Sequence, residues 1–447
     1  MKPYPKYKDS GIEWLGEVPE GWAMKRLRFC LKLNPSKQEV RHLPKNTELS
    51  FIPMEAVGED GSLDLSSKRS IEEVDNGYTF FRNDDVAIAK ITPCFENGKG
   101  CIFRNLHHGF GFGTTELTVM RPIRLDPTFL YYITISHRFR VTGIGLMQGS
   151  AGQKRVPDDY IRSYLIGLPP EAEQQAIISF LDSETARIDA LIQKKERMIE
   201  LLKEKRIALI TRAVTKGLDP SVTMKYSGIE WLGEVPEHWE VKKVKQISKL
   251  ISKGTTPSTV NRELSDSGVR YIKAENIHDD VVFNEPEFYI DHETNDIIKR
   301  SILYENDLLI VIAGATIGKC AILAEALLPA NTNQAVCFVR LISPNYAGYV
   351  RYWMLAEHTS KLLRLNSVQS AQPNISMEDI GNIPIIYPSY NEMEYIIEYL
   401  DFKLDQIDSL LNKVANSITL LREYRSSLIH HAVTGKIDLR DYDAQAQ

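Results

Sequence analysis

The feature that most constrains this chain is a domain-sized duplication. The eleven residues SGIEWLGEVPE occupy positions 10–20 and recur unchanged at 227–237, each copy followed one residue later by a tryptophan, Trp22 and Trp239. The offset is 217 residues (227 minus 10) in a chain of 447. Solenoid repeats have periods of only ~20–50 residues, so each copy must open a folding unit of its own. The expectation is a pseudo-dimer written into one polypeptide.

The texture between the copies repeats as well. Residues 1–170 and 217–389 are turn-rich, with short β-type runs such as 49–54, 86–91, 101–103 and 116–121 in the first half. The second half has 269–273, 308–313 and 335–341. Helical stretches are expected over 127–140 and 346–363. After Pro169-Pro170, residues 171–214 contain neither Gly nor Pro and carry Ile178, Leu181, Ile188, Ile192, Ile199, Leu202 and Leu209 on one helical face. Such a helix would be ~65 Å long at 1.5 Å per residue, ending near Gly217. Residues 391–433 form a second one, with the seam Ile397, Leu400, Leu404, Ile407, Leu411, Val414, Ile418, Leu421 and Leu428 in steps of three and four.

The two helices align without a gap at an offset of 219, so Leu181 matches Leu400, Asp189 matches Asp408, and Arg206 matches Arg425. Both arginines fall where the seam calls for an apolar residue, a placement that fixes register rather than adding stability. A small globule cannot bury a stripe of that length, so the helices are expected to pack on each other, antiparallel. The fold class is α+β: two similar mixed α/β globular domains joined by two long antiparallel coiled-coil helices with an internal pseudo-two-fold repeat. The boundaries are 1–170, 171–216, 217–389, 390–436 and a tail at 437–447.

Composition excludes several classes. No apolar run reaches the ~18–20 residues needed to span a bilayer, and the first residues lack the apolar core of a secretory signal. The five cysteines form no CxxC pair, as expected of reduced thiols in a cytoplasmic protein. The net charge of −5 is mildly unfavourable for nucleic acid, yet residues 1–170 carry 23 Lys/Arg against 20 Asp/Glu, a balance of +3, and residues 221–389 carry 16 against 20, or −4. Charge leaves the partner open, because clustering on one face decides phosphate binding.

No catalytic constellation emerges. The run from Gly314 to Lys319 has three residues between its glycines where a P-loop has four, and Cys320 stands where Ser or Thr must hold magnesium. There is no dinucleotide fingerprint, no Asn/Asp-Pro-Pro-aromatic motif and no HExxH; His107, His108, His430 and His431 read as ordinary surface or capping residues. The same loops suit recognition. Lys90, Thr92, Asn97, Lys99 and Arg104 surround one turn of the first half, with Thr316 and Lys319 at the equivalent place in the second. Gly and Thr beside Lys let a backbone approach phosphate. A second region, before each long helix, offers Gln148, Ser150, Gln153, Lys154 and Arg155, matched by Gln369, Ser370, Gln372 and Asn374; such side chains bond base edges in a major groove. A third holds Lys253, Thr255 and Thr256. A protein–protein scaffold with two peptide-binding heads is the competing reading.

Taken together, the chain resembles the specificity subunit of type I restriction–modification systems along essentially its whole length. The resemblance rests on the doubled SGIEWLGEVPE-x-Trp and on Pro-Pro-Glu-Ala-Glu-Gln-Gln at 169–175. It rests also on Arg-Ile-Asp-Ala-Leu-Ile at 187–192, Ala-Val-Thr-Lys-Gly-Leu-Asp at 213–219, and Gln-Pro-Asn-Ile at 372–375 ahead of Ile383-Pro384. The first half departs from it with Gly-Gln-Lys-Arg at 152–155, and the second helix with Asn-Glu-Met-Glu at 391–394. The resemblance implies two target-recognition domains, each reading one half of a split double-stranded DNA sequence, and helices that set the unread spacer. It implies docking of two modification (methyltransferase) subunits and of restriction/translocase subunits. It implies no catalysis and no cofactor in this chain, with S-adenosylmethionine, ATP and Mg on the partner subunits. The divergent loops predict two different half-sites. The doubled motif itself is expected to be a joint, Trp14 packing with Trp22 and Trp231 with Trp239, where a head meets a helix.

Overall fold

A computed structural model describes residues 2–150, 152–278, 280–368 and 374–442. It divides into two compact units, Met1–Lys195 with Asn416–Gln447, and Glu196–Ala415. Each unit therefore contains a head and parts of both long helices.

The two heads share one topology. In the first, a four-stranded antiparallel sheet runs in the order Leu31–Leu33, Leu117–Pro122, Val86–Ala89, Gly100–Ile102. A second, mixed sheet runs Lys68–Ser70, Glu48–Ile52, Phe110–Gly113, Thr79–Arg82, with 110–113 parallel to 48–52. In the second head the corresponding orders are Ser248–Lys253, Val336–Leu341, Leu308–Val311, Cys320–Ile322 and Tyr289–Ile290, Val269–Ile272, Ala330–Thr332, Ile302–Leu303, again with one parallel pair, 269–272 beside 330–332.

The central strands lack the polar alternation of a surface sheet because both faces are covered. Leu308, Ile310, Cys337, Val339 and Leu341 turn to a core shared with the helices, while Leu309, Val311, Val336 and Phe338 turn to the opposite core. The period of two thus sorts one apolar run into two cores. Truncating a fully buried member such as Leu309 to Ala would cost about 2–5 kcal/mol. Both antiparallel sheets hold the same ion pair. Buried Asp85 takes two hydrogen bonds from Arg121, at 2.7 and 2.8 Å, and Asp307 takes two from Arg340, at 2.8 and 2.7 Å.

The helix expected over 127–140 is two helices, Pro127–Ile135 and His137–Gly145. Asp126 caps the first by accepting from the backbone of Thr128 and Phe129, with Pro127 pre-set at the first position. Ser136 then adopts extended backbone, and its hydroxyl donates to the Ile133 carbonyl in competition with the helical ladder. The second head breaks at the matching place, Ala356, between Ala347–Leu355 and Glu357–Val368.

The long helices run Glu171–Lys216 and Tyr390–Val433. The Glu-Gln-Gln at the first helix start ties it to its head. Glu173 accepts from the Trp22 indole at 3.0 Å, Gln174 accepts from the Asp126 backbone, and Gln175 donates to the Asp126 carboxylate. In the second seam Leu400, Leu404, Ile407, Val414, Ile418 and Leu428 are buried, with Ile397, Leu411 and Leu421 half-buried. Within each unit the two helix segments are antiparallel and keyed by the arginines that interrupt the seam. In the first unit Arg425 forks onto Asp189 at 2.9 and 3.1 Å. In the second Arg206 lies 3.5 Å from Asp408 and 2.5 Å from Asp280. Each seam arginine thus faces the matching aspartate of the other long helix, closely in the first unit and at 3.5 Å in the second.

The doubled motif forms a hairpin in each unit, Tyr7–Asp9 with Glu17–Pro19 and Met224–Tyr226 with Glu234–Pro236. It receives the end of a long helix. Lys436 donates to the carbonyls of Leu15 and Glu17, and Lys216 to that of Glu234. Gly435 and Gly217 end the helices with φ of 71° and 75°, and a Cβ on Gly435 would meet Pro19 at 2.4 Å. The tryptophans do not pack as pairs, contrary to expectation. Trp14 lies on Tyr164 at 5.7 Å under Arg138, and Trp231 on His358 at 5.6 Å, whereas Trp22 and Trp239 are buried and bonded to Glu173 and Glu392. The hairpin separates the two rings, one toward the head and one toward the helix.

Candidate nucleic-acid interface

In the first head, two stretches far apart in sequence meet at one end of the antiparallel sheet. Strand 86–89 runs on through Lys90 and Thr92, and the loop 148–155 folds back beside it. Thr92 N donates to Lys154 O at 2.9 Å, Lys154 N to the Thr92 hydroxyl at 3.2 Å, and Val156 N to Lys90 O at 2.8 Å. Gln148 and Arg155 exchange two backbone bonds at 2.9 and 2.8 Å, closing the loop into a narrow ribbon that holds Ser150 and Gln153 at its tip. Gly149, at φ 135°, permits that closure, since a Cβ there would lie 2.5 Å from the Gln153 carbonyl.

Arg155 is committed within the head. Its guanidinium forks onto Glu116 at 2.9 and 2.8 Å, and that bond holds the Glu116 carboxyl below the usual carboxylate range. Lys154 and Gln153 point to solvent, and no protein partner of the Lys154 amine is found among the described residues. Lys90 lines an open cleft of about 460 Å³ with Asn34, Asn76, Tyr78, Thr79 and Thr115. Asn97 is exposed on the next turn, whereas the Lys99 amine caps the Met54 carbonyl at 3.1 Å and Arg104 bonds Thr128 at the foot of the 127–135 helix. Five residues read from one turn are therefore split. Lys90 and Thr92 join the 148–155 ribbon, Asn97 stands apart, and Lys99 and Arg104 hold the head together.

The second head builds its version at the same end of the same sheet. Asn374 bridges to Ala313, and Ile375 N donates to Ile312 O at 2.9 Å, as Val156 does to Lys90. Lys253, Thr255 and Thr256 arrive from the edge strand. Thr255 N donates to Thr332 O, and Gly254 passes so close that a Cβ would lie 2.1 Å from the Thr332 carbonyl. Thr316 sits in the turn before Lys319, whose amine meets His278 Nδ1 at 3.2 Å. That turn joins strands 308–311 and 320–322 with no helix after it, so the Gly-rich run is a hairpin and lacks the helix N-terminus of a phosphate loop. Gln369, Ser370 and Gln372 lie outside the described residues.

Two participants escape a reading of sequence alone. Arg300 Nε donates to the Thr255 hydroxyl at 3.3 Å from 45 residues away, and Asn34 brings the first edge strand to the same place by donating to Asp158 and accepting from Val119. Neither carries a local motif. Among the described residues no group of three or more His, Cys, Asp or Glu is placed to hold a metal ion, the five cysteines are unpaired, and no helix is long and apolar enough to cross a membrane.

Comparison with known proteins bears on the family and the fold. Residues 19–201 and 236–420 match the family described as "Type I restriction modification DNA specificity domain". The specificity subunit of the type I restriction enzyme EcoEI of Escherichia coli is 40% identical over 197 residues, covering 43% of this chain and 32% of that protein. The match thus spans about a third of that relative's length. Among solved structures, a chain described under the complex assembly and conformational transition of the type I R-M system superposes with a TM-score of 0.74 at 17% identity, over 94% of this chain and 99% of that one. The HsdS subunit from Thermoanaerobacter tengcongensis superposes with a TM-score of 0.55 at 17% identity, over 94% and 98%. At such identities the likeness concerns the fold, which is the duplicated arrangement described above. With two matched segments covering more than half its length, one per head, the chain belongs to the family of type I restriction modification DNA specificity domains.

Proposed function

We propose that this chain is the non-catalytic specificity subunit of a type I restriction–modification complex and reads an asymmetric, two-part double-stranded DNA target, one part per unit. The observation that carries the reading is the pair of loop clusters at the same end of the same sheet, built on one scaffold from different side chains. Lys90, Thr92, Gln148, Ser150, Gln153 and Lys154 form the first reading surface. Lys253, Thr255, Thr256, Thr316 and Asn374 form the second. Lysine amines neutralise phosphate and fix register, while the amides supply the paired donor and acceptor that a base edge requires. Arg155, held by Glu116, and Lys99, Lys319 and Arg104, held by neighbouring atoms, position these loops.

The same reading gives the long helices two tasks, to set the unread spacer and to dock two modification subunits. S-adenosylmethionine is used by those subunits, and ATP and Mg by restriction/translocase subunits, all in the cytoplasm. The test is selection from randomised duplex DNA by the chain assembled with methyltransferase subunits of a type I system. Two fixed blocks separated by an unread spacer are expected, and replacing Gln148 and Gln153 by Ala should relax one block alone. Enrichment of no sequence would overturn the reading in favour of a scaffold without DNA specificity.

A further inference from the structure

The two units differ where the motif hairpin meets the start of a long helix. In the first unit the chain's own segments cover this junction and leave a cleft of only about 210 Å³ beside Tyr4, Trp22 and Arg440. Tyr4 is buried, its ring edge-on to Trp22 at 6.1 Å and its hydroxyl donating to Glu173. Arg440 lies 5.2 Å over the Tyr4 ring and is forked onto Asp438, and Tyr442 packs edge-on against Phe180 at 5.2 Å. Ile437 and Phe180 are each only 6% exposed.

In the second unit the equivalent scaffold is present and the filling is missing. Glu392 accepts from Trp239 at 3.1 Å, as Glu173 does from Trp22, and His238 takes the place of the Tyr4 hydroxyl on the same oxygen at 2.7 Å. At the offset of 219, Ile437 corresponds to Leu218, which is 42% exposed, and Phe180 to Tyr399, which is only half-buried. Ser221 and Thr223 stand where Arg440 and Tyr442 would supply a cation and a ring. What remains is an open cleft of about 580 Å³ between Trp239, Tyr399 and Phe402, with Tyr395 67% and Phe402 60% exposed. Aromatic side chains that exposed and that close together are the signature of an interaction surface. The acids on its rim, Asp219 and Glu398, have no cationic partner among the described residues, and the lining Lys216 is turned away onto the Glu234 carbonyl.

We propose that this cleft of the second unit docks a segment of another protein carrying an aromatic side chain next to an arginine or lysine. The ring enters between Tyr399 and Phe402 as Tyr442 meets Phe180, and the cation meets Asp219 on the cleft rim. None of the residues lining the cleft belongs to either reading surface.

The probe is a fluorescein-labelled peptide copying residues 437–442, Ile-Asp-Leu-Arg-Asp-Tyr, titrated against the full chain and followed by anisotropy. Saturable binding of one peptide per chain is expected. It should weaken about tenfold or more, roughly 1.4 kcal/mol, in Phe402→Asp and again in Asp219→Lys, and also when the peptide's Arg and Tyr are both replaced by Ala. Phe402 is exposed, so its variant should keep the thermal midpoint of the parent; Tyr395→Asp serves as the second variant. No saturable binding at millimolar peptide, or binding indifferent to these changes, overturns the proposal. So does a dimer of this chain dissolved by Phe402→Asp, which would make a second copy the occupant.

Discussion

At the residue scale, Arg425 shows how one charge can be read in the sequence and explained only in space. Its place in an apolar seam is visible from the heptad spacing, but its partner Asp189 lies 236 positions away. The pair is partly exposed, so a double-mutant cycle between Arg425→Gln and Asp189→Asn should give a coupling of about 1 kcal/mol, measured by urea denaturation. Zero coupling would mean that the pair does not set register. Gly435 makes a sharper case. Its φ of 71° and a Cβ contact of 2.4 Å with Pro19 combine backbone strain with collision. Gly435→Ala should cost about 2 kcal/mol or more. Gly217→Ala, whose nearest contact is 3.3 Å from Trp239, should cost about 1 kcal/mol; equal losses of thermal midpoint would contradict the difference. His430 adds a pH dependence. A helix C-terminus favours imidazolium, yet burial first, then His431, His137, Lys436 and Arg138 around it, push its pKa below the ordinary value. With the neutral form favoured in the folded state, its stabilisation is complete above the ordinary imidazole range and lost as pH falls through the lowered value. His430→Gln should therefore flatten the loss of thermal midpoint between about pH 8 and about pH 5, and an unchanged slope would contradict this.

At the element scale, the long helices and the central strands were legible because their apolar periods are strong. The helix expected over 127–140 was not, because the break at Ser136 rests on one hydroxyl–carbonyl bond rather than on Pro or Gly. The candidate site was legible in kind and not in grouping. Lys90, Lys99 and Arg104 look alike in sequence, but the sheet sends Lys90 to the 148–155 ribbon, Lys99 to the Met54 carbonyl and Arg104 to Thr128. Lys154→Ala should lower the slope of log affinity against log salt by about one, whereas Lys99→Ala should leave that slope unchanged and reduce thermal stability. The reverse pattern in a filter-binding salt titration would show that the surface has been misassigned. The doubled motif likewise keeps its role as a joint. The rings divide their work, Trp14 against Tyr164 and Trp22 against Glu173, a distinction that depends on hairpin direction and that no residue type announces.

At the scale of the whole molecule, duplication explains why one chain carries two of everything: the same paired sheets, the same buried Asp–Arg pair, the same motif hairpin, the same seam arginine. The differences include the loops at one end of each sheet, the extra strand pair 277–278 with 281–282 in the second head, and the filling of one cleft. A scaffold held constant while its loops diverge is the arrangement expected of a reader with two unlike half-sites. That arrangement is tested most directly by methylome sequencing of cells carrying this chain with methyltransferase subunits of a type I system, beside cells in which residues 148–155 alone are exchanged for the matching loop of a specificity subunit of that family. A modified motif of two unlike blocks around a fixed spacer is expected, with one block changed by the exchange and the other block and the spacer intact. A single contiguous motif, or a change in both blocks at once, would contradict it.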